Sequence, residues 1–222
     1  IRQALFDHGV ICIRDQDLTP DQQVAFAERW GEIHLHPYLK GLPDQPEIME
    51  IVKEAGERNR FGDHWHTDQI FTPTPAMATM LYAKEVPLAG GDTLFANMYI
   101  AYETLSKGMR NMLDGMVGIS SSAKPRVTQT RKDLMKTSAK VSGAIELVAE
   151  HPVVRTHPET GRKALYVNYG HTVRFKDMTE AESTPLLNFL YAHQSRPELT
   201  CCFRWKPGSI AFWDNRCTQH NP

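Results

Sequence analysis

Short runs of apolar residues, separated by glycine and proline turns, dominate the pattern along the chain. Several runs are rich in β-branched or aromatic residues, and each is only four to seven residues long. Such runs between turn signals predict β-strands. The predicted strands cover residues 9–14, 48–52, 77–83, 92–96, 151–157, 164–168, 200–205 and 209–214, with one more around His66.

Helical signals are fewer and lie mainly towards the two ends. Thr19 with Gln22, and Thr179 with Glu182, have the spacing of a capping box at a helix start. Residues 99–113 carry a mixed helical pattern. Strands outnumber helices, and no repeat or linker divides residues 1–222. The pattern therefore predicts one mainly β domain with flanking α-helices, as a β-sandwich or jelly roll.

Composition excludes some classes of function. The 222 residues are 41% hydrophobic and 23% charged, as in an ordinary globular domain, and the formal net charge is −1. That balance does not favour nucleic acid or an anionic membrane as a partner. No apolar run approaches a transmembrane length and no signal peptide is visible, although the chain opens on Ile1, which weakens this second argument. Four cysteines without a C-x-x-C pair predict reduced, mostly buried thiols in a cytoplasmic protein.

The strongest chemical signal is the pair His66 and Asp68. Residues two apart on a strand point to the same side, so an imidazole and a carboxylate would converge there. They make two thirds of the 2-His-1-carboxylate triad that binds non-haem Fe(II), and His220 is the candidate for the third ligand. His64 shares the predicted strand face with His66, and spacing alone does not choose between them. A single His-x-Asp pair is also common in purely structural roles.

Two other segments leave alternatives open. His34 and His36 are likewise two apart, but no suitably spaced carboxylate accompanies them, so a loop lining a pocket or plain surface is the simpler interpretation. Residues 120–142 are polar and basic. A solvated, mobile loop is the favoured interpretation there, and a lid over an anionic ligand is the alternative.

Five blocks of sequence, taken together and in order, resemble the taurine dioxygenase-like (TauD/TfdA) family of Fe(II)/2-oxoglutarate-dependent dioxygenases. The blocks are Gly31-Glu32-Ile33-His34-x-His36-Pro37, Trp65-His66-Thr67-Asp68, Gly90-Gly91-Asp92-Thr93-Leu94, His151-Pro152-Val153-Val154-Arg155-x-His157-Pro158 and Trp213-Asp214-Asn215-Arg216-x-Thr218-Gln219-His220.

The resemblance implies a double-stranded β-helix (jelly roll, cupin-like) with an iron triad of His66, Asp68 and His220. It implies Fe(II), 2-oxoglutarate and O2 as cofactor and cosubstrates, with Thr93 helping to hold the distal carboxylate of 2-oxoglutarate. The implied reaction hydroxylates a substrate and releases succinate and CO2. The family's arginine partners for 2-oxoglutarate fall beyond Pro222, so a C-terminal segment is expected to be missing from this sequence.

The resemblance also implies a substrate site. His36 and Tyr38 match substrate-binding positions of sulfonate-using members, whereas Gly62 and His171 replace an asparagine and a phenylalanine. These departures argue against taurine itself. They predict a small, anionic substrate such as a sulfonate, sulfate ester, aryloxyalkanoate or other carboxylate, with a polar wall at His171 unless that side chain points to solvent. A homo-oligomer, dimer or tetramer, is expected from the resemblance.

Two other classes of function use the same three ligands. One is a cupin-like protein that binds a metal or small molecule without turnover. The other is a zinc hydrolase with a metal-bound water. The block that ends at Thr93 and the block that ends at His220 favour the oxygenase, because neither alternative needs a group that holds 2-oxoglutarate.

Overall fold

Eleven short strands and five α-helices follow one another in the part of the chain that the computed structural model describes, residues 1–53, 62, 64–124 and 145–222. The first half contains α1 (Arg2–His8), β1 (Val10–Ile13), α2 (Pro20–Glu28), β2 (Ala78–Tyr82), β3 (Thr93–Asn97), α3 (Met98–Glu103) and α4 (Lys107–Leu113). The second half contains β4 (Val117–Ser121), β5 (Val148–Pro152), β6 (Val154–Thr156), β7 (Lys163–Leu165), β8 (Thr172–Phe175), α5 (Glu180–Gln194), β9 (Thr200–Phe203), β10 (Ile210–Asp214) and β11 (Thr218–Asn221).

Two antiparallel three-stranded sheets form the part of the fold that carries the candidate site. One has the order β1-β10-β2 and the other the order β11-β3-β9. Phe95 and Phe203 of the second sheet pack against Ala211 and Trp213 of the first in one buried cluster. Apolar contact between the sheets therefore holds β10 and β11, consecutive in sequence, in opposite layers.

β10 is buried on both of its faces, which explains its unbroken apolar sequence. Ala211 and Trp213 point towards the facing sheet. Phe212 points the other way, where its ring lies 5.4 Å from that of Phe26 and 4.8 Å from that of Trp30, beside α2. A central strand covered on both sides reads as a continuous hydrophobic run. β10 is thus a rigid base for the turn that leads to β11.

A second sheet system packs beside the first. It contains a sheet of order β5-β4-β8 and the hairpin β6-β7, which confirms the predicted turn at 159–162. Its core includes Leu165 and Phe175 from the strands and Leu187 and Leu190 from α5. The capping boxes at Thr19 and Thr179 both form, as the sequence predicted.

Two expectations about secondary structure were wrong. Residues 48–52 form no strand. Instead, Ile48 N–H bonds Gln45 O at 3.0 Å within a local turn. Within the described part of the chain no strand pairs with Ile51 or Val52, which are about half exposed. A β-branched run without a ladder partner does not become a strand.

The second error concerns the start of the polar segment 120–142. Ser120 and Ser121 are buried and belong to β4, which pairs with both β5 and β8. Hydroxyl groups that satisfy one another, such as Ser120 with Thr172, let polar residues occupy a central strand. The lid hypothesis concerns 120–142, and residues 125–142 of that segment lie outside the described residues.

The four cysteines are free thiols, but the expectation that most are buried was wrong. Cys12, Cys201 and Cys202 are exposed on edge strands, and Cys217 alone is buried. Among the described residues, no helix combines the length and the apolar character that crossing a bilayer demands.

Candidate metal centre

Two backbone hydrogen bonds bring the predicted histidines together. His66 N–H donates to His220 O at 3.0 Å, and His220 N–H donates to His66 O at 2.9 Å, as an isolated antiparallel bridge. β11 is held in place by its register with β3, where His220 faces Phe95. The two imidazole rings consequently lie 4.1 Å apart between centroids.

Asp68 completes a compact group of ligand atoms. Its Oδ1 lies 3.6 Å from His66 Nε2 and 3.8 Å from His220 Nε2, and one ligand atom from each residue lies within 4.8 Å of the others. These separations exceed those of hydrogen bonds. They suit three atoms arranged around one metal ion.

The local backbone that achieves this differs from the strand assumed from the sequence. His66 makes one bridge, and the chain turns directly after Asp68. Gln69 adopts a left-handed conformation with φ of 53°, and Thr72 N–H bonds Gln69 O at 2.9 Å. The carboxylate is therefore aimed by a turn and not by strand alternation, a conformation that the spacing of two residues did not reveal.

The protonation of each group suits metal binding. His66 Nδ1 lies 2.8 Å from the carbonyl of His64, which only accepts, so Nδ1 carries the proton and Nε2 keeps its lone pair. Burial and the neighbouring His66 lower the pKa of His220 to about 3, so this ring is neutral at pH 7. Burial would raise the pKa of Asp68, but His220, His66 and a hydroxyl donor hold it well below its usual range.

Packing fixes the ring of His220. Its centroid lies 4.7 Å from that of Trp213, with the rings tilted, and 6.2 Å from that of Phe95, with the rings stacked. No hydrogen-bond partner for its Nδ1 occurs among the described residues. Aromatic contacts therefore fix the orientation of the His220 ring, as the hydrogen bond to the carbonyl of His64 fixes that of the His66 ring.

Two imidazoles and one ionised carboxylate fit Fe(II) and leave coordination positions for other ligands. The structure groups His66, Asp68 and His220 in this way and does not place His64 among them. His64 instead lends its carbonyl to His66 and packs its own ring 5.2 Å away. The metal role of the three side chains stays a prediction, now supported by their geometry.

A second cluster with ligand-type atoms has a different character. His157, Asp214 and Cys217 also lie within 4.8 Å of one another. However, Arg216 donates to both oxygens of Asp214 at 2.9 and 2.7 Å, and His157 Nε2 contacts the same carboxylate at 3.0 Å. The carboxylate is already neutralised by a bidentate cation, so this cluster is a structural ion-pair network.

Thr93 begins β3 and lines the same cavity as the three clustered side chains, a space of about 1030 Å³. The indole N–H of Trp205 donates to Thr93 Oγ1 at 2.9 Å. An indole N–H only donates, so the hydroxyl must accept from it, and its own proton stays available for another acceptor.

The predicted substrate residues lie around the same cavity. Tyr38 is buried, and its hydroxyl lies 2.8 Å from Ser122 Oγ and 2.9 Å from Ile145 O. His36 Nδ1 accepts backbone N–H groups from Tyr38 and Leu39 at 3.1 and 3.0 Å, so a neutral ring carries its proton on Nε2.

His171 is 6% exposed, which contradicts the alternative that it points to solvent. Its ring lies 4.9 Å from Phe71 and 6.3 Å from His66. Burial, with the nearby imidazoles adding to it, lowers the pKa of His171 well below its usual value. The residue therefore presents a neutral imidazole to the cavity wall.

Two contacts of Asp68 and its surroundings were not anticipated. Thr79 donates to Asp68 Oδ2 at 2.6 Å, and Asn215 Nδ2 donates to Thr79 at 2.8 Å. The sequence blocks quoted above include Asn215 but give it no role. No sequence signal marks Thr79, which is one of several residues in a predicted strand. Only the pairing of β2 with β10 shows that they meet.

Comparison with known proteins decides the family. The profile of the family described as "Taurine catabolism dioxygenase TauD, TfdA family" matches residues 1–221. The chain belongs to this family. The prediction made from the five sequence blocks is thereby confirmed.

Individual relatives agree. The chain is 35% identical to an alpha-ketoglutarate-dependent sulfate ester dioxygenase of Pseudomonas putida, covering 99% of this chain and 73% of that one. A taurine dioxygenase structure from Burkholderia xenovorans is 37% identical, with a TM-score of 0.80 over 99% of this chain and 71% of that one. AAD-2, solved with Mn(II) and N-oxalylglycine, is 27% identical, with a TM-score of 0.75 over 99% and 78%.

These matches confirm the jelly-roll fold and the enzyme class of 2-oxoglutarate-dependent dioxygenase. The cofactor and cosubstrates of that class are Fe(II), 2-oxoglutarate and O2. The chain spans between 53% and 79% of the length of the curated relatives that it matches.

Proposed function

We propose that the protein hydroxylates a small anionic organic molecule, with His66, Asp68 and His220 as the iron ligands. The observation that carries this proposal is the convergence of one ligand atom from each of these residues within 4.8 Å at the wall of a large cavity, with Asp68 Oδ1 at 3.6 and 3.8 Å from the two Nε2 atoms. The bound iron supplies O2 activation, with 2-oxoglutarate converted to succinate and CO2 as the substrate is hydroxylated. The protein contributes binding, orientation and exclusion of side reactions.

Thr93 is proposed to bind the distal carboxylate of 2-oxoglutarate. Trp205 fills one acceptor position of the hydroxyl and so orients its proton away from the indole. A carboxylate is a strong acceptor for a hydroxyl held in this way. The arginine partners expected from the resemblance stay a prediction, as does the single-domain organisation.

An anionic substrate is supported by the relatives and by the cavity wall. One relative is named for sulfate esters, and one solved neighbour is a taurine dioxygenase. In this chain, His36 and Tyr38 line the cavity beside the candidate metal ligands. His171 is neutral and buried, which favours a second polar group on the substrate at that point. Sulfate esters, sulfonates, aryloxyalkanoates and related carboxylates form the substrate class.

The deciding experiment measures succinate formation from 2-oxoglutarate by the full-length protein with Fe(II), ascorbate and O2. The panel contains sulfate esters, sulfonates, aryloxyalkanoates and uncharged analogues of the same size. We expect stimulation by an anionic compound above the uncoupled background. Stimulation by uncharged analogues alone would contradict the substrate class while leaving the reaction intact.

Three variants, Asp68→Ala, His64→Ala and His66→Ala, test the ligand assignment. Asp68→Ala removes the one carboxylate of the triad and is expected to abolish iron-dependent succinate formation. His64→Ala is the matched control, since that side chain neighbours His66 without joining the ligand group. Iron retained in Asp68→Ala, or lost in His64→Ala and kept in His66→Ala, would show that the wrong residues were chosen.

The competing classes make different predictions. Anaerobic addition of Fe(II) and 2-oxoglutarate together is expected to produce a visible absorption band. A metal-binding module without the cosubstrate pocket, or a zinc hydrolase, gives none.

The four free thiols support the proposed cytoplasmic location. The homo-oligomer and the lack of nucleic-acid or membrane partners stay predictions, which light scattering and binding assays test.

A further inference from the structure

The two oxygens of Asp68 have different surroundings. Oδ1 faces His66 Nε2 and His220 Nε2 at 3.6 and 3.8 Å. Oδ2 points away and accepts a hydrogen bond of 2.6 Å from the hydroxyl of Thr79 on β2. The carboxylate is therefore held with one oxygen towards the metal position and the other towards the sheet.

The bond from Thr79 is the last in a directed chain of three hydrogen bonds. Trp213 Nε1–H donates to Asn215 Oδ1 at 3.1 Å, and Asn215 Nδ2–H donates to Thr79 Oγ1 at 2.8 Å. Both ends of the chain fix its direction. An indole nitrogen can only donate, and an ionised carboxylate such as that of Asp68 can only accept. The amide of Asn215 and the hydroxyl of Thr79 therefore have one allowed arrangement each.

We propose that Thr79 and Asn215 are positioning residues that hold Asp68 as a ligand through Oδ1 alone. The proposal rests on the metal role of Asp68 proposed above. A carboxylate that rotated freely could present both oxygens to the ion and occupy a position that 2-oxoglutarate or O2 must use. Hydrogen bonds to the remote oxygen of a ligand carboxylate commonly set its orientation. The chain also polarises the last donor, because each bond strengthens the next.

The same strand pairing links this chain of hydrogen bonds to His220. Thr79 lies opposite Trp213 in the register of β2 and β10. The ring of Trp213 packs 4.7 Å from His220, while its N–H starts the chain that ends on Asp68. Asn215 is 1% exposed, so water does not compete for its amide. The buried stretch from Trp213 to Asn215, at the end of β10, thus contacts His220 and, through Thr79, Asp68.

The test compares Thr79→Val with Thr79→Ser in the full-length protein and measures Mn(II) affinity by titration calorimetry without 2-oxoglutarate or substrate. Valine keeps the shape and removes the hydroxyl, whereas serine keeps the hydroxyl and removes a methyl group. Thr79→Val is expected to weaken Mn(II) binding about 10- to 100-fold, and Thr79→Ser to stay within about threefold of the parent protein. Trp213→Phe removes the first donor while keeping an aromatic ring beside His220, and a loss of about three- to tenfold is expected.

Urea unfolding of the metal-free proteins separates this effect from general destabilisation. The proposal holds if the variants that lack the hydroxyl at position 79 lose Mn(II) affinity whether or not their unfolding midpoint changes. It is overturned if Thr79→Val binds Mn(II) like the parent protein, or if Thr79→Ser loses as much as Thr79→Val, since packing of the methyl group would then explain the result. If the parent protein itself bound no Mn(II), both the metal site proposed above and the positioning role of Thr79 and Asn215 would be wrong.

Discussion

Replacement of Arg216 by methionine tests the buried ion-pair network behind the metal centre. Asp214 is fully buried and ends β10, the strand that leads into the turn before His220. Arg216 binds both oxygens of Asp214, at 2.9 and 2.7 Å, and places Nη1 at 2.7 Å from Glu159. Methionine fills similar space but offers no hydrogen-bond donor.

The expected cost follows from what Asp214 retains. Without the guanidinium, its carboxylate keeps the N–H of His157 at 3.0 Å and the backbone N–H of residue 216 at 2.9 Å. Glu159 is more exposed and regains water. Because a buried charge stripped of its partner usually costs about 3–5 kcal/mol, we expect a loss of about that size, most of it from Asp214.

Urea unfolding at pH 7, with fluorescence and circular dichroism as independent probes, measures this loss. Lys176→Met is the matched control, because it removes an exposed ion pair with Glu150, and no measurable change is expected there. Arg216→Met combined with Asp214→Asn is expected to lose less than the sum of the two single variants, since the double variant no longer buries an unpaired charge.

Lower pH gives a further check with a defined sign. Burial would raise the pKa of Asp214, but hydrogen bonds from Arg216 and His157 lower it below its usual value. A depressed pKa contributes stability that is present above the unfolded-state pKa and is lost as the pH falls through the folded-state value. The difference in unfolding free energy between the parent protein and Arg216→Met should therefore become smaller as the pH falls below about 4. A deficit under about 1 kcal/mol at pH 7, or one that does not change with pH, would refute this account of the network.

Three further predictions follow from the space around two glycines and from one hydrogen bond. Gly170→Ala would place a Cβ 2.7 Å from the ring of His64 and 3.1 Å from His66 Cβ, so a stability loss of about 1–3 kcal/mol and weaker Mn(II) binding are expected in urea unfolding and calorimetry. Gly108→Ala in α4 meets no atom within 4 Å and is expected to stabilise by about 0.5–1 kcal/mol; a loss instead would contradict its helical, unhindered position. Trp205→Phe is expected to weaken 2-oxoglutarate binding several-fold through Thr93 and to leave Mn(II) affinity unchanged, so an equal loss of both would show a general disruption of the site.

Local chemistry along the chain was sufficient to predict much of the framework. The capping boxes at Thr19 and Thr179 need only residues three apart, and both form. The hairpin turn at 159–162 is equally local. The three candidate ligands were found because their residue types are those that iron requires and because the blocks around them resemble one family.

What the tertiary structure decided depends on contacts between distant segments. Residues 48–52 have the composition of a strand but no strand partner among the described residues, whereas the serines of β4 form a strand because β5 and β8 flank them. The hydrogen bond from Thr79 to Asp68 is one such contact: the pairing of β2 with β10 brings Asn215 to Thr79, although these two residues are 136 positions apart. Periodicity and spacing report on neighbours in sequence, and together with the family resemblance they indicated candidate metal ligands. Only the packed sheets determine which side chains hold those ligands in place, because hydrogen-bond partners in a β-fold come from strands far apart in the chain.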